Sequence, residues 1–254
     1  MHGPVETGQG RAAGFVAQVD ELLAAELGFV PFHGTLNVGG TPPEPTVVLT
    51  EVGDEHCEGV ELTPCRVGGV RAAVLRPIVP GYPDDKTELV APVRLRSLFG
   101  LGPGDRVDVV LDDARPPNDC PVDPTALSGF DAVVFSLDAL TALLRSSAER
   151  DHGESADDSL RETLVGLDTP VGVCATTSAS TAEETLDSVD ASDGVDVVVG
   201  SAENERESPV GRLRACLDRL GAAPGNSVFV GDPATAGEVA RRVGTSVLRP
   251  DQLR

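Results

Sequence analysis

The sequence predicts an α+β chain of two domains, a small β-barrel followed by a doubly wound α/β domain. Residues 1–111 give short apolar strands punctuated by Gly and Pro, with few helical runs, the grammar of a small barrel. Residues 128–254 alternate continuous apolar strands with amphipathic segments, the pattern of a parallel sheet covered by helices. Between them, Asp112 to Pro124 holds four prolines and four aspartates in thirteen residues. Neither a helix nor a strand continues through that composition, so 112–127 reads as a linker.

The elements of the first half follow in order. Thr7 to Phe15 is glycine-rich, and glycines in a loop let backbone N–H groups approach phosphate oxygens. Glu21 to Val30 reads as a short amphipathic helix. Pro31-Phe32-His33-Gly34-Thr35-Leu36-Asn37-Val38 then starts a strand, on which Thr35 and Asn37 share a face with period two. Two neutral oxygen donors about 7 Å apart suit a hard cation carrying a phosphate chain. A plain turn entering an edge strand uses the same residue types. His33 itself reads as a solvated loop residue. Strands are expected at 47–49, 60–62 and 72–75. Thr87 to Arg96 then sets one acid and two arginines around a strand-to-helix junction. A tight turn, Leu98 to Asp105, feeds a last strand at 105–111.

The second half opens with a buried strand at Ala132–Phe135, followed by a polar segment, Ser146 to Asp158, that reads as a loop or a loose helix end. Further short apolar strands are expected at 171–174, 195–199 and 227–230, with an amphipathic helix at 211–221. No internal repeat is present.

Composition bounds the partners. The 254 residues carry a formal charge of −21, and Lys86 is the single lysine; every other basic residue is arginine. An acid-rich, lysine-poor chain suits a cytosol of molar salt, as in a halophilic archaeon, where carboxylates hold surface water and screening removes their repulsion. The same balance excludes nucleic acid, which needs clustered cations. No run approaches the ~18–20 apolar residues of a membrane span, and the N-terminus lacks the regions of a signal peptide. The five cysteines (Cys57, Cys65, Cys120, Cys174, Cys216) form no C-x-x-C pair and suit buried thiols in a reducing compartment. A cytoplasmic protein acting on small molecules is expected, with a homo-oligomer left open.

Three blocks of the first half, in order, carry a family resemblance: the glycine-rich loop, "LGFVPFHGTLNV" and "ELVAPVRLRSLFGLGPGDRVDVV". Together they resemble the archaeal CTP-dependent riboflavin kinases over about residues 3–111. That resemblance implies a six-stranded cradle-loop barrel that moves the terminal phosphoryl group of CTP to riboflavin, giving FMN and CDP. It makes Thr35 and Asn37 the Mg²⁺ ligands. Gly8, Gln9, Gly10, Arg11, Ala12 and Ala13 wrap the nucleotide, and Val93, Arg94, Leu95 and Arg96 contact it from the other side. Glu88 is the implied catalytic residue, orienting or deprotonating the attacking 5′-hydroxyl, and Glu88 and Pro80 lie on the flavin side. The family's loop usually reads G-x-G-E-G-R, whereas Arg11, Ala12 and Ala13 stand at the last three positions here.

The second half, about residues 128–250, resembles the Rossmannoid haloacid dehalogenase-like (HAD) hydrolases through "FDAVVF", "VFVGD" and "ARRVG". That family places an attacking Asp at the position of Ser136 and a second Asp at Asp138. Its second-motif Thr is replaced by Ala175, no lysine stands near 206–209, and Asp232 is kept without a second acid at Ala236. Without the carboxylate nucleophile the covalent route is lost, so Ser136, Asp138 and Asp232 read as a vestigial site. Two alternatives to the kinase remain: a non-catalytic flavin- or nucleotide-binding regulator, and a phosphatase acting on a flavin-pathway phosphate.

Overall fold

The computed structural model describes residues 1–254 apart from 9, 11, 51–56, 112–123, 151–161, 163, 202–207 and 254; of 146–150, 233 and 234 it describes the backbone alone. Gln9, Arg11, Cys120, His56 and most of the expected linker therefore lie outside the described residues. The chain divides into two compact units, Met1–Pro121 and Val122–Arg254.

The first unit contains β1 (His2–Pro4), β2 (Leu36–Gly39), β3 (Val47–Leu49), β4 (Val60–Val67), β5 (Val70–Pro77), β6 (Lys86–Val90) and β7 (Arg106–Leu111). Strands pair in the order β1-β7-β4-β5-β6-β2, every pair antiparallel. A bridge between Val5 and Val38, with Glu6 N–H donating to the Asn37 carbonyl at 2.9 Å, joins the two ends of that path. Six strands thus complete a circuit, which removes exposed edges. β3 is an addition to β4: it pairs at Val60–Leu62, while β7 pairs farther along the same edge at Cys65–Val67. Pro64, with no N–H to donate, falls in the gap between those two partners.

The first half holds more helix than its glycine-rich sequence suggests. α1 (Ala12–Gln18) begins directly behind the glycine loop, α2 (Asp20–Leu27) follows after one residue, and α3 (Leu95–Leu98) is a single turn after β6. α2 ends earlier than the expected Val30 because Gly28 takes φ 72°, with its N–H on the Ala24 carbonyl at 3.0 Å. Val16, Leu23 and Leu27 of these helices bury against Val60, Leu62, Ala73, Leu75 and Val90 of β4–β6. Burial of this face orients the glycine loop over the barrel.

The second unit is a parallel sheet of β8 (Ala132–Ser136), β9 (Val171–Cys174), β10 (Val197–Val199), β11 (Ser227–Val230) and β12 (Ser246–Leu248), ordered β10-β9-β8-β11-β12. The path runs outward from β8 to β10 and then resumes on the other side with β11, which is a doubly wound topology with its switch point between β8 and β11. Helices α4 (Leu137–Arg150), 179–188, 209–220 and 233–243 accompany the strands. Leu213, Cys216 and Leu217 of one helix and Val239 and Ala240 of another pack with Val134 and Phe229 in one core cluster. α4 continues past Ser146 to Arg150, the helix-end alternative expected for that segment. Pro124–Gly129, partly within the expected linker, is a 3₁₀ helix held by the fully buried Leu127.

Candidate functional site

The site is built on β2 and β6. Their register sets Asn37 directly opposite Glu88, and Glu88 in turn opposite Leu75 of β5. Directly paired residues project to one face of the sheet. Alternation along β6 gives Glu88 the same face as Val90, the face that α1 and α2 cover. Two polar side chains therefore stand at the end of an otherwise apolar surface, Asn37 6% and Glu88 5% exposed.

Asn37 Oδ1 is buried and, among the described residues, accepts no hydrogen bond. Leaving such an acceptor unmade costs ~1–3 kcal/mol. Above it lies the glycine loop: a Cβ on Gly8 would come 2.3 Å from Asn37 Nδ2, so a side chain there would displace the Asn37 amide. Thr35 is half-buried, one residue before β2 begins. A buried amide oxygen that no described residue bonds, close under Gly8 and two residues along the chain from a hydroxyl, suits a hard divalent cation, which prefers oxygen donors.

Glu88 is held from two sides. The Tyr82 hydroxyl donates to Glu88 Oε1 at 2.9 Å, and the Lys86 ammonium donates to the same oxygen. The ammonium also stands 5.5 Å from the centre of the Tyr82 ring, within cation–π range. Burial, reinforced by the neighbouring Glu88 carboxylate, pushes the Tyr82 phenol well above its ordinary value, so it remains the donor. No described residue donates to Glu88 Oε2.

The three sequence blocks meet through Glu6. Its N–H bonds the Asn37 carbonyl, and its own carbonyl accepts from the Arg96 guanidinium. Gly8 and Gly10 lie on the loop, but Ala12 and Ala13, read from sequence as part of that loop, form the first turn of α1. Val93 and Leu95 are 2% and 3% exposed and point into the core, so a ligand on this side meets the half-buried Arg94 and Arg96 side chains. Pro80 is exposed in the turn before β6; its neighbour Tyr82, rather than Pro80, reaches Glu88. His33 is also not a free loop residue, since its Nε2 lies 3.0 Å from Oδ2 of the buried Asp20. Tyr82 and Lys86 were missed as site residues. Their signal was rarity: each is the single residue of its type.

Ser136, Asp138 and Asp232, expected from the sequence to form a vestigial site, lie at the carboxyl ends of β8 and β11. A Cβ on Gly231 would come 3.5 Å from Ser136 Oγ, which brings the first and fourth motifs together. Ser136 Oγ accepts the Ala139 N–H at 3.2 Å and so caps α4. β8 runs into α4 with no intervening loop, which leaves Asp138 exposed on the first helical turn. Asp232 is exposed as well. Among the described residues no three His, Cys, Asp or Glu side chains gather as a metal cluster. Cys174, at the end of β9, shares a hydrogen bond with Cys216 that, with burial, pushes its thiol far up; the four described cysteines are all buried.

The first unit is thus a closed antiparallel barrel with a glycine loop over an Asn–Glu pair, and the second a doubly wound α/β unit. A family model labelled CTP-dep_RFKase and described as "Domain of unknown function DUF120" matches residues 5–111. The riboflavin kinase of Ignicoccus hospitalis is 35% identical over 130 residues, covering 44% of this chain and 70% of the relative. Those of Methanocella arvoryzae (36% over 121 residues) and Thermococcus kodakarensis (35% over 116) cover 44% and 41% of this chain. The chain spans little more than half of these two relatives, 56% and 55%. Through its barrel, the chain belongs to the riboflavin kinase family that this model describes. The second unit is similar to a haloacid dehalogenase-like hydrolase of Streptococcus pneumoniae, at 16% identity and TM-score 0.35, over 47% of this chain and 84% of that one. A HAD-superfamily hydrolase of Geobacter sulfurreducens gives 14% and 0.30, over 46% and 88%. At those scores the assignment of a doubly wound fold stands on strand order alone.

Proposed function

We propose that the barrel phosphorylates riboflavin at the expense of CTP, giving FMN and CDP, and that the second unit takes no part in the chemistry. One observation carries the reading: the unpartnered, buried Asn37 Oδ1, lying beneath Gly8 and opposite Glu88. A buried acceptor left unmade by the protein suits a ligand that completes it.

On this reading Asn37 and Thr35 hold Mg²⁺, which supplies charge neutralisation for a triphosphate when bound. The glycine loop gives its backbone N–H groups to the phosphates, where a side chain at Gly8 would intrude on Asn37. Arg94 and Arg96 close the opposite side. The riboflavin 5′-hydroxyl approaches Glu88, whose carboxylate orients it and accepts its proton. The hydroxyl oxygen then bonds to the γ-phosphorus, the bond to the β–γ bridging oxygen breaks, and CDP leaves. Catalysis of this kind is positioning and electrostatics, so no nucleophilic side chain is required.

The second unit is better read as non-catalytic, because the serine at the nucleophile position is used as a helix cap. Molar salt is the expected working medium, and no described helix is long and apolar enough to cross a membrane. The test is direct: the full chain, in concentrated potassium chloride with Mg²⁺ and riboflavin, is given CTP or ATP in turn and the products are separated. FMN formed with CTP supports the reading. A folded chain that forms no FMN from either nucleotide ends it.

A further inference from the structure

An acid-rich chain that uses arginine for every other cation keeps one lysine, and that lysine touches the buried carboxylate of the site. Lys86 and Glu88 are two apart on β6 and so share a face. Tyr82 arches over them from a turn closed by its N–H on the Val79 carbonyl at 3.1 Å, with Gly81 at φ 78°. Both donors converge on Oε1, and no described residue donates to Oε2. The choice of lysine then has a physical reason. A guanidinium is a planar fork that takes both oxygens of a carboxylate at once, whereas an ammonium is a point charge that can take one.

We infer that Lys86 is a positioning residue for the phosphoryl acceptor: with Tyr82 it pins Glu88 by one carboxylate oxygen and so reserves the other for the incoming hydroxyl. This rests on the kinase reading for the identity of the acceptor, though not for the pinning itself. It also explains why arginine, used everywhere else, is absent here. Arginine at this position would engage Oε2 as well and close the acceptor side.

The experiment compares Lys86→Met, Lys86→Arg and Glu88→Gln, plus each lysine change combined with Glu88→Gln, all in the full chain, with folding checked by thermal melts. Riboflavin binding is read from quenching of its fluorescence, and FMN formation gives kcat and KM. Lys86→Met is expected to lower kcat about 10-fold, a modest share of what a proton acceptor contributes, with KM for CTP unmoved. Lys86→Arg is expected to fare no better although it keeps the charge. In the Glu88→Gln background neither change should alter riboflavin affinity by more than about 2-fold, because residues that act through one another are non-additive. Wild-type kcat in Lys86→Arg, or a Lys86→Met effect that multiplies undiminished in the Glu88→Gln background, overturns the inference. A chain that binds riboflavin without forming FMN ends the kinase reading alone, and the binding cycle still decides on Lys86. A chain that does neither ends both.

Discussion

Asn37 and Ser136 stand in comparable places, each a polar side chain at one end of a strand in its own unit, and they differ in what they bond. Asn37 Oδ1 in the barrel is buried with no partner, while Ser136 Oγ in the parallel sheet accepts the Ala139 N–H. The first leaves a buried acceptor that no described residue bonds. The second is complete within the chain, because a hydroxyl that caps a helix satisfies an otherwise orphaned donor. The two loops repeat the contrast: a Gly8 side chain would collide with Asn37, whereas β8 enters α4 with no loop in which to seat a phosphate. Polar residues at strand ends are informative through their hydrogen-bond accounts more than through their motif membership.

The comparison can be broken at several points. The largest expected effect comes from Thr35→Ala combined with Asn37→Ala, which should abolish the Mg²⁺-dependent part of CTP binding measured by titration calorimetry; unchanged Mg²⁺ dependence would show the donors to be wrongly placed. Next is Glu88→Gln, expected to slow FMN formation by roughly 100-fold, the lower end of the contribution of a general base, with CTP affinity retained. Ser136→Ala should leave FMN formation unchanged and cost about 1 kcal/mol of stability, the usual worth of an N-cap, read as a lowered melting temperature of the second unit. A loss of phosphatase activity in that variant would instead restore a catalytic role to the serine.

The smallest effect is a pH dependence. The Tyr82 phenol is raised above the ordinary value of 10.0 in the folded chain. The folded state therefore binds the proton more tightly than the unfolded one, and the associated stability is intact below pH 10. It declines as pH rises further, because the unfolded chain ionises first. Tyr82 is the single tyrosine, so tyrosinate absorbance reports it alone. Native absorbance should rise at higher pH than in denaturant, and Tyr82→Phe should flatten the loss of melting temperature in alkali. Coincident titrations in both states would show that Glu88 is not held as described.

Much of this was legible along the chain and some of it was not. The strands at 47–49, 171–174 and 227–230 appear at the expected residues, since short apolar runs bounded by Gly and Pro have few other conformations. β4 and β5 extend well beyond their expected cores, because the antiparallel pairing from Val60↔Pro77 to Val67↔Val70 stabilises residues that lack strand grammar, Pro64 among them. α1 was hidden for a related reason. A seven-residue segment containing Gly14 is a weak helix by itself and is held by burying Val16 against the sheet.

The amino-acid sequence by itself determined the two fold classes and the acid-rich, lysine-poor composition, and it marked Thr35, Asn37 and Glu88 as candidates while leaving Tyr82 and Lys86 unmarked. Those properties depend on side-chain chemistry and on periods of two or 3.6 residues, which are local. Only the tertiary structure decided that Asn37 faces Glu88, that Gly8 lies on Asn37, and that Tyr82 and Lys86 share one carboxylate oxygen. Asn37 and Glu88 belong to strands separated in sequence by three others, so their meeting depends on the register in which β2 pairs with β6. A slip of one residue would turn Asn37 to the other face, and the face shared by Glu88 and Val90 is fixed by burial under α1 and α2, an energy that belongs to the assembled core and to no segment of it.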